Sequence, residues 1–129
     1  MSCCCENSST LELRIKKGES LGFSFTLSQN GSPIDLTGKS ILFQVRADIV
    51  DDGEFLINKT ITTSSDIETV GNINDATHGG FIIAVTSSET ASLSTLKPYF
   101  AAIYYVNGGT KKCISANNGE VARLIVLNP

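Results

Sequence analysis

Residues 21–27, Leu-Gly-Phe-Ser-Phe-Thr-Leu, have the clearest strand pattern in this sequence. Large apolar side chains alternate there with small or polar ones, and a period of two is typical of a strand with one buried face. Turn-forming residues lie on either side, at 18–19 and at 29–33. The stretch therefore predicts one strand of a sheet that covers an apolar core.

The same kind of apolar pattern recurs along the rest of the chain, interrupted by turn-forming residues. Asn107-Gly108 is the strongest hairpin signal among these turns, because both residues tolerate the positive φ of a tight turn. The polar segment 64–80 is expected to be a loop with at most one short strand. Further strands are predicted near residues 11–16, 41–46, 55–63, 81–85, 99–106, 110–116 and 121–127.

One short helix is predicted between these strands. Thr86 and Glu89 have the spacing of a capping box, and Pro98 ends a segment in which Ala91, Leu93 and Leu96 are expected to face the core. About seven or eight strands with frequent turns and one short helix predict an all-β protein, an antiparallel β-sandwich. A closed barrel is the alternative architecture.

Length and composition favour one folded domain. A chain of 129 residues falls within the usual size of a single domain, and we expect an N-terminal tail at 1–10 and one sandwich domain at 11–129. The contents of 41% hydrophobic and 18% charged residues exclude a disordered chain. A net charge of −3 offers no basic face for nucleic acid, and no apolar run reaches the ~20 residues that would span a membrane.

Neither a metal site nor a cofactor is expected. Cys3, Cys4 and Cys5 are consecutive, whereas zinc motifs separate paired ligands by about two to four residues. Consecutive cysteines also make a poor disulfide framework, which favours a protein made in a reducing cytoplasm. The fourth cysteine, Cys113, is expected to be a small core residue.

The sequence does not predict an enzyme. The single histidine, His78, lies in a turn-like segment, and no spacing brings it a nucleophile and an orienting carboxylate. We therefore assign no catalytic residue. A sugar-binding or receptor-binding module stays open as an alternative, because Tyr99, Tyr104 and Tyr105 could stack on sugar rings.

Three predicted strands, at 81–85, 99–106 and 121–127, are apolar on both faces. A sandwich sheet has one face toward the core and one toward water, so a second apolar face points to a contact with another chain. The candidate interface residues on these outer faces are Ile82, Ala84, Val121, Ile125 and Leu127. In the alternative, the loop 64–80 or the N-terminal tail covers that face within the same chain.

The segment Pro33-Ile-Asp-Leu-Thr-Gly38 is predicted to specify a turn. Pro33 restricts φ, Asp35 can accept hydrogen bonds from the backbone that follows, and Gly38 supplies a conformation that other residues resist. Leu36 is expected to close the end of the sandwich. These four residues have a role in the fold, and a fold does not by itself define a function.

The order of the motifs resembles a known family. Pro33 to Gly38 precedes a strand ending in Val45-Arg46, and residues 80–86 (Gly-Phe-Ile-Ile-Ala-Val-Thr) lead into Glu89 to Leu93 and a strand that begins at Tyr99. This order is similar to that of the immunoglobulin-like domain of tailed-bacteriophage virion proteins, such as the N-terminal domain of baseplate upper proteins. The resemblance covers roughly residues 11–127.

The resemblance implies an immunoglobulin-like sandwich and a structural role in the virion. It implies a tail, baseplate or neck position, with other phage structural proteins as partners in a homo-oligomer or ring assembled in the cytoplasm of the bacterial host. A capsid decoration protein is the alternative within the same class. Ala101, Ala102 and Ile103 stand where the family often has an acidic residue.

Overall fold

The described part of the protein consists of β-strands and two short helical segments. The computed structural model describes residues 12–47, 55–96, 99–113 and 122–128. Two-residue periodicity at the strands produces alternating buried and exposed side chains, most clearly at β1 and β6. The elements are β1 (Glu12–Lys16), β2 (Leu21–Thr26), β3 (Ser28–Gln29), β4 (Ser32–Pro33), β5 (Ser40–Arg46), β6 (Ile57–Ile61), β7 (Gly71–Asp75), a 3-10 turn (Ala76–His78), β8 (Gly80–Val85), α1 (Ser87–Ala91), β9 (Tyr99–Asn107), β10 (Thr110–Cys113) and β11 (Ala122–Leu127).

The strands form two sheets that pack face to face, with a small hairpin beside them. The large sheet has the order β1-β11-β9-β5-β6, with β10 paired to β9 as well, and the small sheet has the order β2-β8-β7. Strands β3 and β4 form the hairpin, whose turn residues Asn30 and Gly31 both have positive φ, at 54° and 80°. This arrangement confirms the predicted β-sandwich.

One strand pair differs from the antiparallel expectation. Strand β1 runs parallel to β11, with Leu13 opposite Leu124, whereas the other pairs between described strands are antiparallel. The first and last strands are far apart in the sequence, so no tight turn forces them to run in opposite directions. The parallel pair places the first described strand beside the last one.

The core lies between the two sheets. Its fully buried side chains come from both of them, for example Phe43, Ile103 and Leu124 from the large sheet and Ile83 and Val85 from the small one. The interior is therefore continuous, and 19 buried apolar residues form one cluster. Among the described residues, no helix has the length and apolar character needed to cross a membrane.

Strand β2 is less buried than its sequence pattern predicts. Phe23 and Phe25 are half-buried and Leu21 is 43% exposed, whereas Leu27, just after the strand, is buried. The reason is that β2 is an edge strand: among the described strands it pairs with β8 alone. The inward side chains of β2 therefore have a neighbouring strand on one side, β8, and remain partly exposed on the other.

The helix begins as predicted and ends earlier. The Glu89 N–H donates to Thr86 Oγ1 at 3.3 Å and the Thr86 N–H donates to Glu89 Oε1 at 2.9 Å, which completes the capping box. Leu93 is buried, but Ala91 is exposed and Leu96 is 93% exposed. The expectation that Ala91 and Leu96 face the core is wrong. Within the helix the buried residue is Thr90, and Leu96 lies beyond the end of the helix at Ala91, where the helical period does not continue.

Candidate interaction surfaces

The outer face of the small sheet contains two of the predicted interface residues, Ile82 and Ala84. Ile82 is half-buried, whereas Ala84 is only 4% exposed although it lies on the outer face. Atoms of the same chain cover Ala84, because its low exposure is that of the single chain, and its N–H donates to the Val70 carbonyl at 3.3 Å. Ala84 therefore has little surface left for another chain.

A groove with a volume of about 570 Å³ lies at this end of the small sheet. Two of its side chains, Leu21 and Ile67, are large, apolar and 43% and 48% exposed. Polar groups from the helix start and from the loop before β7 surround them. The lining residues are Ser20, Leu21, Gly22, Ile67, Glu68, Thr69, Ala84, Thr86 and Ser87.

The other predicted interface residues belong to β11 in the large sheet. Ile125 is half-buried and Leu127 is 39% exposed. Their partners on β1 are Arg14 and Lys16, so charged side chains flank these apolar positions. Val121 lies outside the described residues. The predicted residues that the structure describes are thus divided between two sheets and do not form one surface.

A longer apolar row crosses the middle of the large sheet on its outer face. Phe100, Tyr104 and Val106 of β9 are half-buried there, Ala102 is 2% exposed, and Leu42 of β5 is paired with Tyr104. We call the four partly exposed residues, Leu42, Phe100, Tyr104 and Val106, the β9 strip. Ala102 lies between them and, like Ala84, has little surface left for another chain. The Lys111 ammonium lies 4.6 Å from the centre of the Tyr104 ring, a cation–π contact at the end of the strip.

The sequence indicated part of this strip. The two-sided apolar character of residues 99–106 marks β9, but Leu42 was not singled out. Its signal is the uninterrupted run Ile41-Leu42-Phe43, in which the middle residue must face away from the core if its neighbours face toward it.

A buried lysine, Lys59, connects the two sheets and the helix. It lies on the inner face of β6 with 8% exposure, and its Nζ donates to the carbonyls of Thr69 and Ala84, both at 2.6 Å. The same Nζ is 2.7 Å from Glu89 Oε1. Every proton of the ammonium thus has an acceptor, which offsets the cost of burying the charge.

Glu89 is the acidic partner in this cluster. Burial raises the pKa of its carboxyl group, but hydrogen bonds from Lys59 and from the Thr86 backbone outweigh burial, so the pKa lies below its usual value of 4.5. The carboxylate therefore stays charged at neutral pH. One side chain both caps α1 and neutralises Lys59.

Lys59 is not among the predicted site residues, although the sequence of β6 contains a signal for it. In Ile57-Asn58-Lys59-Thr60-Ile61 the lysine occupies the same face as the two isoleucines, which a period of two directs to the core. A charged residue at an inward position predicts a buried partner. The pattern does not identify that partner, because Glu89 is 30 residues away.

The turn at 33–38 is built by local hydrogen bonds and one buried side chain. Asp35 Oδ1 accepts from the Thr37 N–H at 2.9 Å and from Thr37 Oγ1 at 2.6 Å, and these bonds lower the pKa of Asp35. Leu36 has no exposed surface, and its N–H donates to the Ala76 carbonyl at 2.7 Å. Pro33 belongs to β4, and Gly38 has a φ of 74°.

The described residues do not bring a catalytic or metal-binding set together. His78 is exposed, and its Nδ1 lies 3.0 Å from Asp75 Oδ1, a hydrogen bond that raises the pKa of the histidine. No group of three or more His, Cys, Asp or Glu side chains within the described ranges could hold a metal ion. Cys3, Cys4 and Cys5 lie outside those ranges.

The tyrosines do not form a common platform. Tyr99 is buried, and its hydroxyl accepts a hydrogen bond from the Ser94 N–H at 2.7 Å. Tyr104 lies on the outer face of β9, whereas Tyr105, the next residue, lies on the inner face and packs against the core. Adjacent strand residues point to opposite faces, so these rings cannot stack on one sugar.

No protein-family profile and no curated protein matches this chain. Among solved structures, it is similar to one described as the N-terminal domain of phage TP901-1 ORF48. The two are 16% identical with a TM-score of 0.49, and the match covers 92% of this chain and 85% of the other. At this level of similarity no function is assigned to the chain.

Proposed function

We propose that this chain is a non-catalytic structural subunit of a tailed-phage virion. In this proposal it docks on other virion proteins through the outer face of its large sheet, as one copy of a symmetric assembly. The supporting sequence feature is the motif order around residues 33–46 and 80–99. The structural observation that supports this choice of docking surface is the β9 strip.

The β9 strip has the composition expected of a contact surface. Aromatic side chains such as Phe100 and Tyr104 contribute large apolar areas, and burying each square ångström of apolar surface contributes about 25 cal/mol. Tyrosine is also enriched among the residues that dominate binding energy at interfaces. In a ring, several modest contacts of this kind are made at once, so each can be weak while the assembly is stable.

The test is whether the protein is incorporated into particles through this strip. The change Val106→Glu places a carboxylate in the strip, next to Lys111, its partner on β10, so the fold should tolerate it. We expect at least a tenfold loss of the protein from purified particles, measured by quantitative immunoblotting. Ser32→Glu, at an exposed position of the β3–β4 hairpin, is the matched control and should be incorporated normally.

The same particles distinguish the alternative positions. Gold-labelled antibody and electron microscopy would locate the protein on the tail, baseplate or neck if the proposal is right, and on the head if it is a capsid decoration protein. A protein missing from every particle, or incorporated equally with Val106→Glu and Ser32→Glu, contradicts the proposed docking. A glycan-binding role would instead require binding that is lost in Tyr104→Ala, and the separation of Tyr104 from Tyr105 does not favour it.

A further inference from the structure

The outer edge of β2 has backbone groups without a strand partner in the described part of the protein. Strand β2 pairs with β8 only, and the Leu27 N–H donates to the Gly79 carbonyl at 2.8 Å on that side. In an antiparallel pair, alternate residues direct their N–H and C=O groups to the same side. The groups of Gly22, Ser24 and Thr26 therefore point away from β8, and all three residues are exposed.

This edge lacks the features that usually prevent strand pairing. Soluble proteins protect edge strands with charged residues, proline, bulges or short length, whereas β2 has six residues with no charge and no proline. The edge strand β1 carries Glu12, Arg14 and Lys16 on its exposed face, and the β7–β8 pairing is irregular between Asn72 and Asp75. Of these three edge strands, β1, β2 and β7, β2 is the one without a feature that would prevent pairing with another strand.

The sequence of β2 is nearly symmetric about its centre. Residues 21–27 place Leu21 and Leu27, and then Phe23 and Phe25, at equal distances from Ser24. We propose that β2 pairs in antiparallel fashion with β2 of a second copy of this chain, around a twofold axis at Ser24. Ser24 then faces Ser24 of the second copy, and Gly22 faces its Thr26.

This register uses the free backbone groups and the half-buried aromatic rings together. The pairs at Ser24 and at Gly22–Thr26 exchange backbone hydrogen bonds, because those residues have their N–H and C=O groups on the free edge. Phe23 then lies opposite Phe25 of the second copy, in the closer type of pair, where Cα atoms are about 4.5 Å apart. Phe25 already stacks on Phe81, with ring centres 5.3 Å apart, so pairing would extend one aromatic layer across both copies.

A second copy is the partner that this edge fits best. A shift of the register by one residue would place residues with free backbone groups opposite residues whose groups point to β8. A shift by two would leave one direct pair of phenylalanines across the edge, where the register centred on Ser24 has two. At the axis Ser24 faces Ser24 of the second copy, and neither side chain carries a charge. Pairing of two copies through β2 does not depend on the proposed function. Only its role as a contact within the virion assembly rests on that proposal.

The experiment uses the purified full chain without any other virion protein, so that pairing and incorporation into particles can fail independently. Sedimentation equilibrium from micromolar to millimolar concentration measures association. The change Ser24→Lys places two ammonium groups opposite each other at the axis, and we expect the dissociation constant of the dimer to rise at least about tenfold. Ser32→Lys, on the exposed hairpin, should leave it unchanged.

Hydrogen exchange followed by NMR tests the register in the unmodified chain, whether or not the variant folds. The amides of Gly22, Ser24 and Thr26 should become protected as concentration rises, in step with dimer formation. The proposal is overturned by a monomer whose amides exchange rapidly at millimolar concentration. It is equally overturned by protection that does not depend on concentration, or by association that survives Ser24→Lys.

Discussion

Lys59 contributes to stability through several partners at once. Its Nζ binds the carbonyls of Thr69 and Ala84 and the carboxylate of Glu89, which belong to the loop before β7, to β8 and to α1. Strand β6, which carries the lysine, is at the edge of the large sheet. One side chain therefore joins that edge to three parts of the chain on the other side of the core.

We predict that Lys59→Met lowers the free energy of unfolding by about 2–4 kcal/mol. Methionine fills a similar volume, but it leaves two carbonyls without a donor and a carboxylate without its cation. Urea unfolding followed by circular dichroism measures the change. Lys16→Met, at an exposed position of β1, should shift stability by less than about 0.5 kcal/mol. Equal midpoints for the two variants would contradict this role of Lys59.

At the scale of elements, α1 is attached to the β1–β2 turn by Thr90. This residue has no exposed surface, and its Oγ1 donates to the Glu19 carbonyl at 2.9 Å and accepts from the Gly18 N–H at 2.9 Å. The contact joins residues more than 70 positions apart. A helix of five residues is not stable alone, so such tertiary contacts are needed to hold it.

We predict that Thr90→Val costs about 1–3 kcal/mol of unfolding free energy. Valine has nearly the same shape as threonine, but it cannot bind the Gly18 N–H or the Glu19 carbonyl, which then lose their partner. Thermal unfolding measures the loss. Thr60→Val makes the same change at an exposed position of β6 and should be close to neutral, since valine suits a strand. A neutral Thr90→Val would show that the helix is held by other contacts.

At the scale of the whole molecule, the two sheets separate side chains that are neighbours in sequence. Ile82 and Ile83 are adjacent in β8, yet Ile83 has no exposed surface and Ile82 lies half-buried on the outer face. The core cluster includes Ile83 but not Ile82. Any function of the outer faces is therefore separable from the stability of the sandwich.

We predict that Ile83→Ala lowers the free energy of unfolding by about 3–4 kcal/mol and Ile82→Ala by about 1 kcal/mol or less. The first change leaves a cavity in the core, whereas water can occupy the space that the second one leaves. Urea unfolding of both variants measures the two losses. A low micromolar protein concentration keeps association between copies of the chain from contributing to the measured free energy. Similar losses for the two would mean that the outer face is covered as completely as the core.

Short-range patterns in the sequence are sufficient to predict the class of fold and most of the described strands. Alternation at 12–16 and 57–61, the capping box at Thr86 and Glu89, and turn residues such as Asn30-Gly31 act over a few positions, so they can be recognised without a structure. The two-sided apolar strands were recognisable for the same reason.

Only the tertiary structure decided which of these strands share a surface. It placed Ile82 and Ala84 on one sheet and Ile125 and Leu127 on the other, covered Ala84 with the chain itself, and left β2 at an edge. It also brought Glu89 to Lys59. The physical reason is that periodicity reports which way a side chain points relative to its own strand, whereas pairing between strands distant in sequence depends on how the whole chain packs.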